Sequence, residues 1–161
     1  MTTQHDAFHP DLATSVPEER RRSLRTRLHH VRAADLDNKT AQTEGMRRLA
    51  AISGDLVGSE RIWMGETHVG PSTSSDNHHH GDAETAIYVV SGHPEFVFHD
   101  GVEEIRIKTE PGDYIFVPPF VPHREENPDP NDPAVVVIAR STQEAIVVNL
   151  PELYHLDPEE S

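Results

Sequence analysis

Apolar residues along most of the chain come in short runs, each closed by a turn signal. Met46–Ile52 reads as a strand that stops at Ser53-Gly54, and Gly58-Ser59 marks another turn. Residues 60–69 are strand-like and end at Gly70-Pro71, and a polar loop follows over residues 72–77. Thr85–Ser91 turns at Gly92-His93-Pro94, and Glu95–His99 turns at Asp100-Gly101. Residues 102–108 alternate, with Val102, Ile105 and Ile107 as their apolar members. Pro111-Gly112 fits the two central positions of a type II turn, where the second residue takes a positive φ. Tyr114–Val117 follows, then a proline-broken loop. Residues 134–139 are nearly all β-branched or small, the composition of a strand buried on both faces. Residues 145–150 end at Pro151. Many short strands at regular spacing predict an all-β sandwich or barrel. No internal repeat or coiled coil is visible, and local patterning leaves the strand order open.

The ends read differently. Residues 1–16 are polar, and Ser15 ahead of Pro17-Glu18-Glu19 carries the signals of a helix start. The stripe is thin, Leu24 and Leu28, so residues 1–30 fit a short N-terminal helical arm or an extended one. The barrel is expected over residues 31–155, with an acidic tail over 156–161. At 161 residues the chain is one domain plus tails.

Charge narrows the partners. The formal net charge is −14, but residues 1–48 carry a net +2 and the remainder −16. The arginine-rich arm either packs on the acidic body or is a solvated tail. So acidic a body predicts no nucleic-acid partner, since phosphate binding needs a basic face. No apolar run is long enough to span a membrane, and no leader pattern opens the chain, so no membrane partner is expected. The absence of cysteine excludes disulfides and thiolate ligands and suits a cytoplasmic protein.

The candidate chemistry lies in two stretches. In residues 77–92, His78-His79-His80 and Glu84 precede a run of strand formers. Side chains two apart on an extended strand share a face. His78 and His80 therefore face together and His79 faces away; if the chain stays extended, Glu84 returns to the face of His78 and His80. Two imidazoles and a carboxylate form a nitrogen- and oxygen-rich set suited to a first-row metal. The best fourth donor is His123, in residues 112–127.

Together these stretches resemble the paired motifs of the cupin superfamily. The first is His78-x-His80, three residues, Glu84, seven residues, Gly92; the second is Gly112, five residues, Pro118-x-Phe120, two residues, His123, three residues, Asn127. The resemblance covers about residues 60–150. It implies a double-stranded β-helix, a small jelly-roll barrel holding one divalent metal ion inside one end and commonly paired as a homodimer. The sequence departs from the family pattern twice. Phe120 replaces the usual glycine, so the turn before His123 is expected to be built differently, with a bulky ring at the mouth. The spacing to Gly92 is one residue too long. Either a bulge keeps Glu84 as the ligand, or Thr85 occupies that position and the metal has three histidines.

Other residues enter as candidates for a substrate pocket. Glu66 and His68 share strand parity and could line it. Tyr88 is read as core more than as a substrate stacker, as are Trp63 and Phe116. Arg61 and Arg140 sit within apolar segments, where an inward arginine needs an anion, from the protein or from a substrate. Asn127, Glu125 or Glu126 could hold a ligand imidazole in place. Zn, Mn, Fe, Ni, Co and Cu all suit the donor set. Glu84 could leave the metal and act as a catalytic base. The expected function is a metal-dependent enzyme, a dioxygenase, isomerase or lyase, acting on a small carboxylate or keto-acid metabolite. The alternatives are a non-catalytic metal- or ligand-binding cupin and a degenerate one that binds no metal.

Overall fold

The computed structural model describes residues 28–154. The chain divides into residues 1–30 and Val31–Ser161, and every described strand belongs to the second unit. The helix start at Ser15 and the acidic tail lie outside the described residues.

The body is all-β, built from two antiparallel sheets. The first contains β1 (Met46–Ile52), β2 (Trp63–Val69), β10 (Ala134–Arg140), β5 (Thr85–Ser91) and β8 (Tyr114–Val117), side by side in that order. The second orders β11 (Val148–Asn149), β4 (His78–His79), β9 (His123–Asn127), β6 (Glu95–His99) and β7 (Glu104–Lys108), with the two-residue β3 (Thr73–Ser74) also paired to β9. Besides a 3-10 turn at Ala33–Asp35, a short helix, α1 (Gly54–Val57), is capped by the Ser53 hydroxyl accepting from Leu56 N–H. Ile87, Val89, Phe96, Val117 and Val136 form the main core, and Met46, Val69 and Ala134 a smaller one.

Strand parity decides what is buried. On β2, Trp63, Gly65, Thr67 and Val69 are buried while Met64, Glu66 and His68 face outward. On β5, Thr85, Ile87 and Val89 point inward, and Ala86, Tyr88 and Val90 outward. β10 obeys the same alternation and is not buried on both faces as its composition predicted: only Ala134 and Val136 are fully buried. An antiparallel neighbour on each side leaves its outer face open, which β-branched residues tolerate.

Several expected boundaries shift. Residues 60–62 and 102–103 are turns, and of residues 145–150 only Val148–Asn149 pair. Conversely β9 extends from the proline-broken loop, because its register against β6 (Phe98 opposite His123) is set by a distant strand.

Three positions lock the layers. The Asn127 side chain is 1 % exposed and donates to the carbonyls of Val69, Gly70 and Asp132. It ties β9 to the end of β2 and the loop before β10. At Gly65 a Cβ would lie 2.3 Å from the Leu49 carbonyl oxygen and 2.7 Å from the Trp63 ring, so only glycine permits this β1–β2 approach. Gly112 has φ +98, the conformation the type II turn demands.

Candidate metal centre

Cross-strand pairing brings the imidazoles together. His78 on β4 lies directly opposite His123 on β9, and His80 follows two residues on. Their ring centroids are 4.5 Å (His78–His123), 4.8 Å (His78–His80) and 5.0 Å (His80–His123) apart. One nitrogen from each ring falls within 4.8 Å of the other two.

The backbone fixes which nitrogen is free. His78 Nδ1 is 2.7 Å from the Asp76 carbonyl, His80 Nδ1 2.9 Å from Ile146 and His123 Nδ1 3.0 Å from Val121. A carbonyl only accepts, so each Nδ1 carries the proton and donates it. Each neutral ring then presents an Nε2 lone pair, the arrangement that orients metal-ligating histidines. His123 Nε2 is buried and has no hydrogen-bond partner. Burial pushes the His123 pKa down to about 4, against a pull upward from Glu125, with His78 adding to the depression. His80 is lowered too, chiefly by burial, then by His78, while the Ile146 carbonyl opposes. Three converging imidazoles, each with its Nδ1 committed to a carbonyl and one with an orphaned nitrogen, fit a divalent first-row metal ion.

Glu84 is not part of this group. Its side chain is exposed, whereas Thr85 is 4 % exposed and points inward. The expectation that the chain stays extended from His80 to Glu84 fails at Gly81, whose φ of +59 opens a turn and resets the alternation. The buried carboxylate is instead Glu125, 8 % exposed, on the inward face of β9 two residues beyond His123. It is close enough to favour the charged forms of both His80 and His123.

The remaining candidates disperse. Arg61 is exposed in the turn before β2. Glu66 Oε2 and His68 Nε2 pair at 3.0 Å on the outer face of that strand, away from the imidazoles. Tyr88 is on the outer face of β5, its ring 4.9 Å from Tyr114, and Phe116 is likewise exposed; neither is core. Trp63 is buried. His79 faces away from the cluster, its ring centroid 5.8 Å from that of Phe120. Phe120 is 60 % exposed and keeps φ at +61, so the turn has a glycine-like backbone with an aromatic residue forced into it. Neither Asn127 nor Glu126 touches an imidazole: Asn127 pins loops, and Glu126 pairs outward with Arg106 and Arg124.

Two cavities border the cluster. One of about 520 Å³ is lined by Phe96, Phe98, Ile107, Ile115 and Val121, with His123 in its wall. The other, about 40 Å³, lies on the His80 side, among Arg48, Thr85, Glu125 and Arg140. Arg48 does not stand out in the sequence. The available signal is parity: it shares the inward face of β1 with Met46 and Ala50.

Comparison with known proteins agrees with this architecture. Residues 65–139 match the cupin domain family. Among solved structures, the polyketide cyclase RemF from Streptomyces resistomycificus is similar at 21% identity and a TM-score of 0.64, over 83% of this chain and 90% of that one. A protein with a double-stranded β-helix domain from Klebsiella pneumoniae gives 17% identity and 0.55 over 71% and 92%. Oxalate decarboxylase from Lactobacillus farciminis gives 19% and 0.60 over 73% of this chain but 34% of that one. At these identities the likeness is one of fold. None of the curated proteins matches the chain. The two-sheet barrel, the paired histidine motifs and the matched segment show a cupin domain over residues 65–139 of this chain, with a three-histidine group that fits a metal-binding cupin.

Proposed function

We propose that the protein is a metal-dependent enzyme in which His78, His80 and His123 hold one divalent ion and act on a small molecule bearing a carboxylate or keto-acid oxygen. The observation that carries this reading is the orphaned His123 Nε2, aimed at a point it shares with two other imidazoles whose Nδ1 protons are already committed. A buried acceptor without a partner is disfavoured by roughly 1–3 kcal/mol, so a fold that keeps one has a use for it. When bound, the ion supplies Lewis acidity toward an oxygen of the ligand. Three protein donors leave coordination positions open, as catalytic sites require. Glu125, not Glu84, is the side chain placed to accept or return a proton beside the imidazoles. The apolar cavity against His123 suits the hydrocarbon part of the ligand and excludes water from it.

Elemental analysis of the natively purified protein tests this. One equivalent of a transition metal, lost in the His78→Ala/His80→Ala/His123→Ala variant, is expected. Metal-free protein from metal-replete cells would overturn it. A metal-loaded protein that turns over no carboxylate or keto acid in a substrate panel would favour the non-catalytic binder.

The homodimer belongs to the same proposal. The outer face of the first sheet exposes Tyr88, Val90, Tyr114 and Phe116 as neighbours on β5 and β8, a surface a second copy would cover. Light scattering should give twice the chain mass; a monomeric mass would refute it.

A further inference from the structure

We infer that Arg48 and Arg140 form a binding site for a carboxylate group on the His80 side of the cluster. The chain has twice as many acids as bases, 28 Asp and Glu against 14 Lys and Arg. Two arginines of the second sheet use that surplus: Arg106 pairs with Glu95 and Glu126, and Arg124 with Glu104 and Glu126. Arg48 and Arg140 do not. Among the described residues neither has a carboxylate within ion-pair distance. Arg140 Nε and Nη2 donate to the carbonyls of Thr142 and Gln143 at 3.0 and 2.8 Å, and its guanidinium lies over the Trp63 ring, 4.1 Å from the centroid. Arg48 Nη1 reaches the Thr43 hydroxyl at 2.8 Å and the Ala41 carbonyl at 3.4 Å. Each contact aims a guanidinium without neutralising it.

Both arginines take inward positions on their strands and line the same small cavity with His80, Thr85, Glu125 and Glu144, neither carboxylate lying within ion-pair distance of a guanidinium. Two like charges facing one cavity repel, and Arg140 responds: burial first, then Arg48, lowers its pKa to about 10. The fold keeps the pair nonetheless. Thr67, the cross-strand neighbour of Arg48, is fully buried and its hydroxyl has no partner, so a further polar group in this interior is uncommitted. A guanidinium fork matches a planar carboxylate in two parallel hydrogen bonds. The cavity of about 40 Å³ admits such a head group. Trp63 and Arg140 also line a larger cavity of about 330 Å³, together with Lys39 and Ser53.

The anion site itself does not require a metal; only the placing of its carboxylate next to a reacting centre rests on the function proposed above. Isothermal titration calorimetry on metal-free full-length protein separates the two, with acetate, benzoate and inorganic phosphate as probes. Saturable carboxylate binding is expected, weakened about 10-fold or more in Arg48→Gln and in Arg140→Gln, and retained in His123→Ala. Absence of saturable binding, equal affinity in either glutamine variant, or binding of phosphate alone would overturn the carboxylate site. Should Arg140→Gln not fold for want of its Trp63 contact, Arg48→Gln decides. Loss of metal content in native protein with carboxylate binding intact would sink the metal reading and leave this site standing.

Discussion

The burial of His123 and His80 predicts a specific acid weakness of the metal-free protein. His123 has a folded pKa of about 4 against an ordinary value of 6.5, because burial disfavours the imidazolium. A depressed histidine pKa means that the unfolded chain binds the proton more readily. The stability it protects is intact above pH 6.5 and is lost as pH falls from 6.5 toward 4. At about 1.4 kcal/mol for each pH unit, the full loss across that window is about 3 kcal/mol. His80 adds in the same direction. The carboxylate of Glu126, held low by Arg106 and Arg124 despite its burial, loses its contribution only lower in pH, below the ordinary carboxylate range. The interval from pH 6.5 to 5 therefore belongs to the histidines. The assay is urea unfolding of chelator-treated protein across that interval, wild type against His123→Asn. Asparagine can still donate to the Val121 carbonyl but cannot protonate. The wild type should lose stability more steeply than the variant, with the difference approaching about 1–2 kcal/mol by pH 5. Parallel curves would refute the claim that His123 is buried as a neutral base. Added metal should raise the wild-type curve without flattening it, since an ion that binds only the folded neutral cluster lowers the protons bound by the native state and not those bound by the unfolded chain.

Other outcomes rest on particular contacts. Glu84→Ala should leave the metal content of native protein unchanged while His78→Ala lowers it, measured by elemental analysis; a loss with Glu84→Ala would return that carboxylate to the site. Gly65→Ala should destabilise by about 3 kcal/mol, because the new methyl meets a backbone carbonyl that cannot move away. A loss below about 1 kcal/mol in urea unfolding would show that the β1–β2 approach can relax. Phe120→Val should cost about 1 kcal/mol more than Phe120→Gly, since a β-branched side chain is disfavoured at φ +61 and glycine is not. Equal melting temperatures would contradict a strained turn there.

The strands were largely legible from sequence, because alternation and turn chemistry are local. Met46–Ile52, Thr85–Ser91, Glu95–His99 and Tyr114–Val117 have the same limits in the structure as in the pattern. His78, His80 and His123 could be paired because two spaced motifs pointed to one family. Glu84 misled because parity holds only while the backbone stays extended, and one positive φ at Gly81 ends it. Glu66 and His68 share parity as expected, but sequence alone does not say which face of a sheet is inner. Arg48, Glu125 and Arg140 lie far apart in the chain and meet only through the registers of separate strand pairs. Local periodicity states which residues of a strand look the same way; only the closing of two sheets around a core decides what they look at.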